Sequence, residues 1–209
     1  MIQDPKKERQ ENVSGSSNKI YTEEVKVTGE RYTSKDFMEK ELSKLWSKVW
    51  NIGGWSRELE NQGDFVIHHI GRESILMVKE KNNTVKAYHN VCPHRGNRLV
   101  HVDSGHVKEF TCTYHGWKFN YSGDLIYAQD EEDFPQGNPC GKVKLSEIPC
   151  EEYAGFIWYN MDKNCFPLKG FLGEVTKYID MFDNDGLKRV YHKVCEVPFN
   201  WKALRDNFC

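Results

Sequence analysis

No run in this chain approaches the roughly 18 consecutive apolar residues of a membrane-spanning helix, so a membrane partner is not expected. An excess of either charge is also missing. The 29 Lys and Arg nearly balance the 31 Asp and Glu, for a formal net charge of −2, which gives no reason to expect nucleic acid or an anionic surface as partner. The N-terminus has no apolar core of a secretory signal. Residues 1–20 are almost devoid of apolar side chains, running through Asp4 to Arg9 and then Ser14 to Asn18. Such a composition cannot offset its own ordering entropy and predicts a disordered tail. Cysteine is sparse, with seven residues, an odd number. Cys140, Cys150, Cys165, Cys195 and Cys209 show no framework spacing, so the expectation is free thiols in a reducing cytoplasm.

What is present suffices for a core, since 209 residues with 38% hydrophobic and 13% aromatic content can form one large domain or two small ones. The residues that carry chemistry gather in two stretches, Cys92-Pro93-His94-Arg95-Gly96 and Cys112-Thr113-Tyr114-His115-Gly116-Trp117, which together read C-x-H-x17-C-x2-H. Sulfur suits iron–sulfur clusters and zinc alike, and imidazole suits zinc, copper and iron, so ligand type does not choose the metal. Spacing helps. Structural zinc sites usually place two to four residues between the members of a ligand pair, whereas Cys92 and His94 are separated by Pro93 alone. That is tight for one tetrahedral ion. It is easier to satisfy if the four residues serve adjacent irons, Cys92 and Cys112 on one and His94 and His115 on the other, as in a Rieske [2Fe–2S] centre. A structural zinc site in a binding module is the alternative reading of the same residues.

Taken in order, Thr33-Ser34-Lys35-Asp36 has the form of a capping box, and Phe37, Met38, Leu42, Leu45, Trp46 and Val49 follow at helical spacing. These predict an amphipathic helix over 34–50 with a packing face. From Asp64 the period changes. Residues 64–70, 74–79 and 84–89 read as strands separated by turns at Gly71-Arg72 and Asn82-Asn83, with further strands over 107–112, 116–121, 125–128 and 155–160 and a hairpin turn at Tyr121–Asp124. His68, His69 and His89 lie on these strands and read as structural or surface residues, not ligands. Beyond 160, Leu172, Val175, Ile179 and Phe182 recur at helical spacing, Arg189–Val197 reads as a long strand ended by Pro198, and Asn200 caps a helix start. The expected fold class is therefore mainly β, an antiparallel module with an N-terminal helix, divided as a tail 1–20, a helical segment 21–50, a cluster-binding domain 51–160 and a further segment 161–209.

Residues 92–119 resemble the Rieske domain of ring-hydroxylating oxygenase large (alpha) subunits, and the similarity extends from about residue 35 to the end. Respiratory-chain Rieske proteins have an additional cysteine in each loop, and those two form a disulfide; the matching positions here are Asn97 and Tyr114, so that disulfide is excluded. Arg95 and Trp117 also match the oxygenase loops. The resemblance implies Cys92, His94, Cys112 and His115 as ligands of a [2Fe–2S] cluster, with loop amides and the close approach allowed by Gly96 and Gly116 supplying hydrogen bonds to it. Arg95 is expected to pair with an acid or cover the loop, and Trp117 to belong to the core.

Asn200-Trp201-Lys202 followed by Asp206-Asn207 is similar to the opening of the catalytic domain of those oxygenases, where two His and an Asp downstream bind a mononuclear non-haem Fe(II). These ligands would lie beyond Cys209, so no catalytic residue is assigned here, and the expectation is a fragment carrying the incomplete start of an α+β catalytic domain. The resemblance implies the terminal oxygenase component of a system with a reductase and/or ferredoxin as electron donor, O2 and a small organic substrate as reactants, and a homotrimer or alpha3beta3 assembly. A stand-alone Rieske ferredoxin is the rival; the helix at 34–50 and the Asn200–Asn207 match argue against it.

Overall fold

The structure, a computed structural model, describes residues 27–208; the tail expected over 1–20 lies outside them. Its strands in chain order are β1 (Asn51–Trp55), β2 (Asp64–Ile70), β3 (Glu73–Lys79), β4 (Val85–His89), β5 (Ser104–His106) and β6 (Phe110–Thr111). They continue as β7 (Lys118–Phe119), β8 (Leu125–Tyr127), β9 (Glu147–Ile148), β10 (Cys150–Tyr153) and β11 (Phe156–Tyr159). The helices are α1 (Glu30–Thr33), α2 (Lys35–Glu41), α3 (Leu168–Leu172), α4 (Val175–Ile179) and α5 (Trp201–Asn207). Packing divides the described residues into two compact units, 38–198 and a smaller one of 27–37 with 199–208.

The larger unit is organised by β3. Its Ile75, Leu76, Met77 and Val78 are consecutive and apolar, so both faces of the strand need cover, because successive side chains point to opposite sides. All four are fully buried. β3 is the middle strand of a five-stranded antiparallel sheet ordered β5-β2-β3-β4-β9. On one face Ile75 and Met77 join Val66, Val85, Ala87, Ile148, Ile157 and Tyr159, which brings in the three-stranded sheet β1-β11-β10. On the other, Leu76 and Val78 join Phe65, Tyr88, Leu99, Phe110, Trp117, Phe119 and Leu125, which brings in the small sheet β6-β7-β8. Fully burying each of these large side chains contributes on the order of 1.5–3 kcal/mol before entropy is subtracted. β1 can approach this core because Gly53 has no side chain. A Cβ there would sit 2.3 Å from Met77 Sδ, at the point where the β1–β11 pairing shifts register between Ile52 and Gly54. A third cluster of Trp50, Trp158 and Leu168 packs α3 onto β11, with Trp50 Nε1 donating to Phe166 O at 2.8 Å.

Several expectations are corrected. The helix predicted over 34–50 is α2 followed by a wider π-helical turn over Leu42–Trp46, and it is Ser34, not Thr33, whose hydroxyl accepts the Phe37 amide at 3.2 Å. The helical run marked by Leu172, Val175 and Ile179 is two short helices broken at Gly173, which takes φ +53. Arg189–Val197 pairs with no strand among the described residues; Val190 and Val194 are 95% and 79% exposed. β propensity there is not matched by a neighbour to bond, and propensity without a partner does not make a ladder. The strands β1, β5, β9 and β10 were not legible: β1 and β5 carry glycine, β9 has two residues, and β10 centres on Glu151 and Glu152, which have low β propensity. In the smaller unit, Asn200 Oδ1 accepts the Lys202 amide at 3.1 Å as the predicted cap, and Tyr32 Oη donates to Asp206 Oδ2 at 2.5 Å. No helix among the described residues is long and apolar enough to cross a membrane.

His68 on β2 gives a pH-dependent prediction. Its Nδ1 lies 2.8 Å from Tyr159 Oη, and burial, followed by the neighbouring His69, lowers its pKa from the ordinary 6.5. The folded chain therefore prefers neutral His68, while the unfolded chain takes up a proton at about pH 6.5. This contribution is full above that pH and is lost as pH falls below it. Urea midpoints measured from pH 7.5 to 5 should decline more steeply in the wild type than in His68→Gln, which bonds without titrating in this window. Parallel declines would exclude His68 as the source.

Candidate metal centre

The two loops that carry the predicted ligands hang from strand ends. The first follows β4, and the second spans the gap between β6 and β7, with Cys112 directly after one strand and Trp117 directly before the other. They share one hydrogen-bond frame. The Cys92 amide donates to Asn97 O at 2.8 Å and the Gly96 amide to Cys92 O at 2.9 Å; the Cys112 amide donates to Trp117 O at 2.8 Å and the Gly116 amide to Cys112 O at 3.0 Å. In each loop the fifth residue must turn left-handed, and Gly96 and Gly116 have φ +70 and +68. A Cβ at either glycine would meet nothing within 4 Å of the chain. The demand is conformational, since a side chain in that region costs roughly 1–2 kcal/mol. The amides of the two glycines themselves bond the cysteine carbonyls and so are not the donors to sulfur. The amides aimed at sulfur are those of His94 and Arg95 for Cys92, and of Tyr114 and His115 for Cys112.

The frame brings the four residues together as two pairs. Cys92 and Cys112 are 1% and 2% exposed and interact with each other. Burial and the neighbouring Cys112 push the Cys92 thiol up to about 11, partly offset by the loop amides. Burial also opposes ionisation of Cys112, but the Tyr114 amide, the Asn97 side chain and Cys92 outweigh it and draw the thiol down. Ionisation is therefore easier at Cys112 than at Cys92, where a nearby cation would have to offset the thiolate charge. The rings of His94 and His115 lie 4.6 Å apart, at 60°. Burial, then His115 and Arg95, lower the His94 pKa and favour the neutral imidazole, the form that binds metals. His94 Nδ1 is buried with no hydrogen-bond partner. Buried polar atoms are nearly always satisfied, and an orphan needs an explanation.

Surrounding residues hold the pairs in place. The Trp117 indole, 5% exposed and part of the core, stacks on His94 with centroids 4.5 Å apart and planes 4° apart. Tyr114, largely exposed, lies against His115 at 3.9 Å. Trp117 thus belongs to the core, as expected, and also touches a candidate ligand. Arg95 is exposed and enters no ion pair among the described residues. Asn97 escaped sequence reasoning as anything beyond the place of a missing cysteine. Its Nδ2 lies 3.7 Å from Cys112 Sγ, 3.4 Å from Thr113 Oγ1 and 2.9 Å from Arg98 O. His68, His69 and His89 are engaged elsewhere, with Tyr159, Asp103 and Glu73 respectively. Among the described residues no three His, Cys, Asp or Glu side chains converge on one ion position; the site is two pairs and not a tetrahedral quartet.

An antiparallel β module presenting two Cys–His loops, with paired thiols inside and paired imidazoles outside them, has the form of an iron–sulfur electron-transfer domain. Residues 49–145 match the model of the Rieske [2Fe-2S] domain, and the chain is homologous to the N-terminal part of the alpha subunits of ring-hydroxylating dioxygenases and of carnitine monooxygenase. It is 30% identical to biphenyl 2,3-dioxygenase subunit alpha of Rhodococcus jostii, over 85% of this chain and 40% of that one. It is 33% identical to the carnitine monooxygenase oxygenase subunit of Escherichia coli, over 85% and 48%. The crystal structure of the quaternary ammonium Rieske monooxygenase CntA superposes with TM-score 0.78 at 30% identity, covering 84% of this chain and 49% of that one. The chain thus spans 40–48% of the length of these curated relatives.

Proposed function

We propose that this chain is the electron-transfer part of the alpha subunit of a Rieske-type terminal oxygenase, with Cys92 and Cys112 holding one iron of a [2Fe–2S] cluster and His94 and His115 the other. The observation that carries the assignment is the pairing itself: two buried, mutually interacting thiols beside two touching imidazoles, one of which has a buried nitrogen with no partner. We assign His94 Nδ1 as a ligand atom on that ground. A bound [2Fe–2S] group supplies one-electron redox chemistry at a potential above that of all-Cys clusters. The residues around it supply the rest. The amides of His94, Arg95, Tyr114 and His115 donate toward the sulfurs, Trp117 fixes the His94 ring plane, and the core beneath keeps water from the thiols.

The oxygenase reading is favoured over a stand-alone Rieske ferredoxin because similarity to oxygenase subunits runs over 85% of the chain, well beyond the residues 49–145 of the domain model. In the whole protein we infer a mononuclear non-haem Fe(II) that activates O2 to oxygenate a small organic substrate. A reductase and/or ferredoxin supplies electrons to a cytoplasmic homotrimer or alpha3beta3 assembly, of which residues 51–160 are the electron-transfer domain and 161–209 the start of the next.

The test is a spectrum. Residues 1–209, produced under reducing, iron-replete conditions, should be brown and give a rhombic paramagnetic resonance signal of low mean g after dithionite. A colourless, spin-silent protein with stoichiometric zinc would sink the cluster assignment and the oxygenase reading with it.

A further inference from the structure

The matching frames of the two loops put Asn97 and Trp117 in equivalent places, five residues after Cys92 and Cys112, and each lends its carbonyl to its own cysteine amide. Their side chains, however, cross over. Trp117 reaches from the second loop to stack on His94 of the first. Asn97 reaches from the first loop to the second, its Nδ2 3.7 Å from Cys112 Sγ and 3.4 Å from Thr113 Oγ1. A third contact, from Nδ2 to Arg98 O at 2.9 Å, fixes the amide orientation so that the nitrogen and not the oxygen faces sulfur.

We propose that Asn97 is a positioning residue that sets the reduction potential of this site through its hydrogen bond to the Cys112 sulfur. Cys112 already receives the amides of Tyr114 and His115, which any residue types would supply. The Asn97 amide is a side-chain donor added to these, and it comes from the opposite loop. One-electron reduction adds negative charge beside a sulfur that is only 2% exposed. In such a low-dielectric setting a fixed N–H dipole pointing at the sulfur stabilises the reduced form more than the oxidised form, and hydrogen bonds to sulfur are a recognised lever on cluster potential. Asn97 therefore raises the potential. It does so at the position where the disulfide-bearing Rieske proteins place a cysteine, so a donor stands here in place of a covalent tie.

This rests on the cluster assignment above, and the experiment separates the two. Wild type, Asn97→Leu and Asn97→Asp are prepared as the full chain, and their midpoint potentials are measured by dithionite titration followed by paramagnetic resonance, together with thermal midpoints. Asn97→Leu keeps the volume and removes the donor. It should lower the equilibrium constant for taking up one electron about tenfold, or about 59 mV, with the spectrum and thermal midpoint retained. Asn97→Asp, nearly isosteric but anionic, should lower it further. Loaded variants with an unmoved potential overturn this inference alone. Failure of both variants to load a cluster that the wild type loads would make Asn97 a structural brace and overturn it equally. A wild type without a cluster overturns the site assignment and this inference together.

Discussion

Replacing His94 and His115 together by cysteine should drop the reduction potential of the loaded chain by roughly 250 mV or more, from the range of His-ligated clusters to the vicinity of −400 mV typical of all-Cys ones. The cause is charge. Two neutral imidazoles give way to two thiolates, and the added negative charge opposes the incoming electron. At 59 mV per factor of ten for one electron, the change is about four powers of ten in electron affinity. The structure favours loading of such a variant, because the two rings already lie together at 4.6 Å and the loop frame is built by backbone bonds that do not involve them. The readout is a redox titration with the rhombic signal shifting to higher mean g. A double variant with the wild-type potential would show that the rings are not ligands.

The second large effect is on stability. Phe119→Ala should cost about 3–5 kcal/mol, the usual range for removing a buried phenylalanine. Phe119 is fully buried on β7, paired with Phe110 on one side and Leu125 on the other, and its ring lies 6.5 Å from that of Trp117. It belongs to the same buried cluster as Cys92 and Cys112. The cavity therefore opens directly beneath the ligand loops, and the loss should appear as a fall in the thermal midpoint on the order of 10 °C together with poorer cluster retention. Tyr127→Ala, on the neighbouring strand but 46% exposed, should stay within about 0.5 kcal/mol of wild type. Equal effects at both positions would refute the placement of the core.

What could be read from the sequence follows from how narrowly chemistry constrains residue type. Metal ligands admit few side chains, so Cys92, His94, Cys112 and His115 stood out at once as candidates, and the structure brings them into two pairs, thiol with thiol and ring with ring. β3 was legible because its continuous apolar run has few alternative meanings, and the Asn200 cap because its hydrogen bond needs a short polar side chain. Asn97 was not legible as a donor: an asparagine after a glycine reads as turn chemistry, and only three-dimensional closure of the second loop gives it a sulfur to address. β1 was missed because Gly53 and Gly54 depress β propensity, although the absence of a side chain at Gly53 is what admits the strand beside Met77. Arg189–Val197 shows the reverse failure, a sequence fit for a strand with no partner among the described residues.

The double burial of β3 has a consequence for how this sheet finds its alignment. In a strand with one wet face, slipping by one residue exposes every apolar side chain, and that penalty fixes the pairing. Here Ile75 to Val78 are interchangeable in this respect, since a one-residue slip trades apolar for apolar on both sides. Hydrophobicity cannot enforce the match of Leu76 with Ile67 and Tyr88. That duty falls on features that count residues: the turns at Gly71 and Asn83, both left-handed at φ +58 and +60, and the Gly53 notch that receives Met77 beside the Tyr159 ring. Lengthening either turn by a single residue would leave the composition of the core intact while displacing the strand that leads into Cys92.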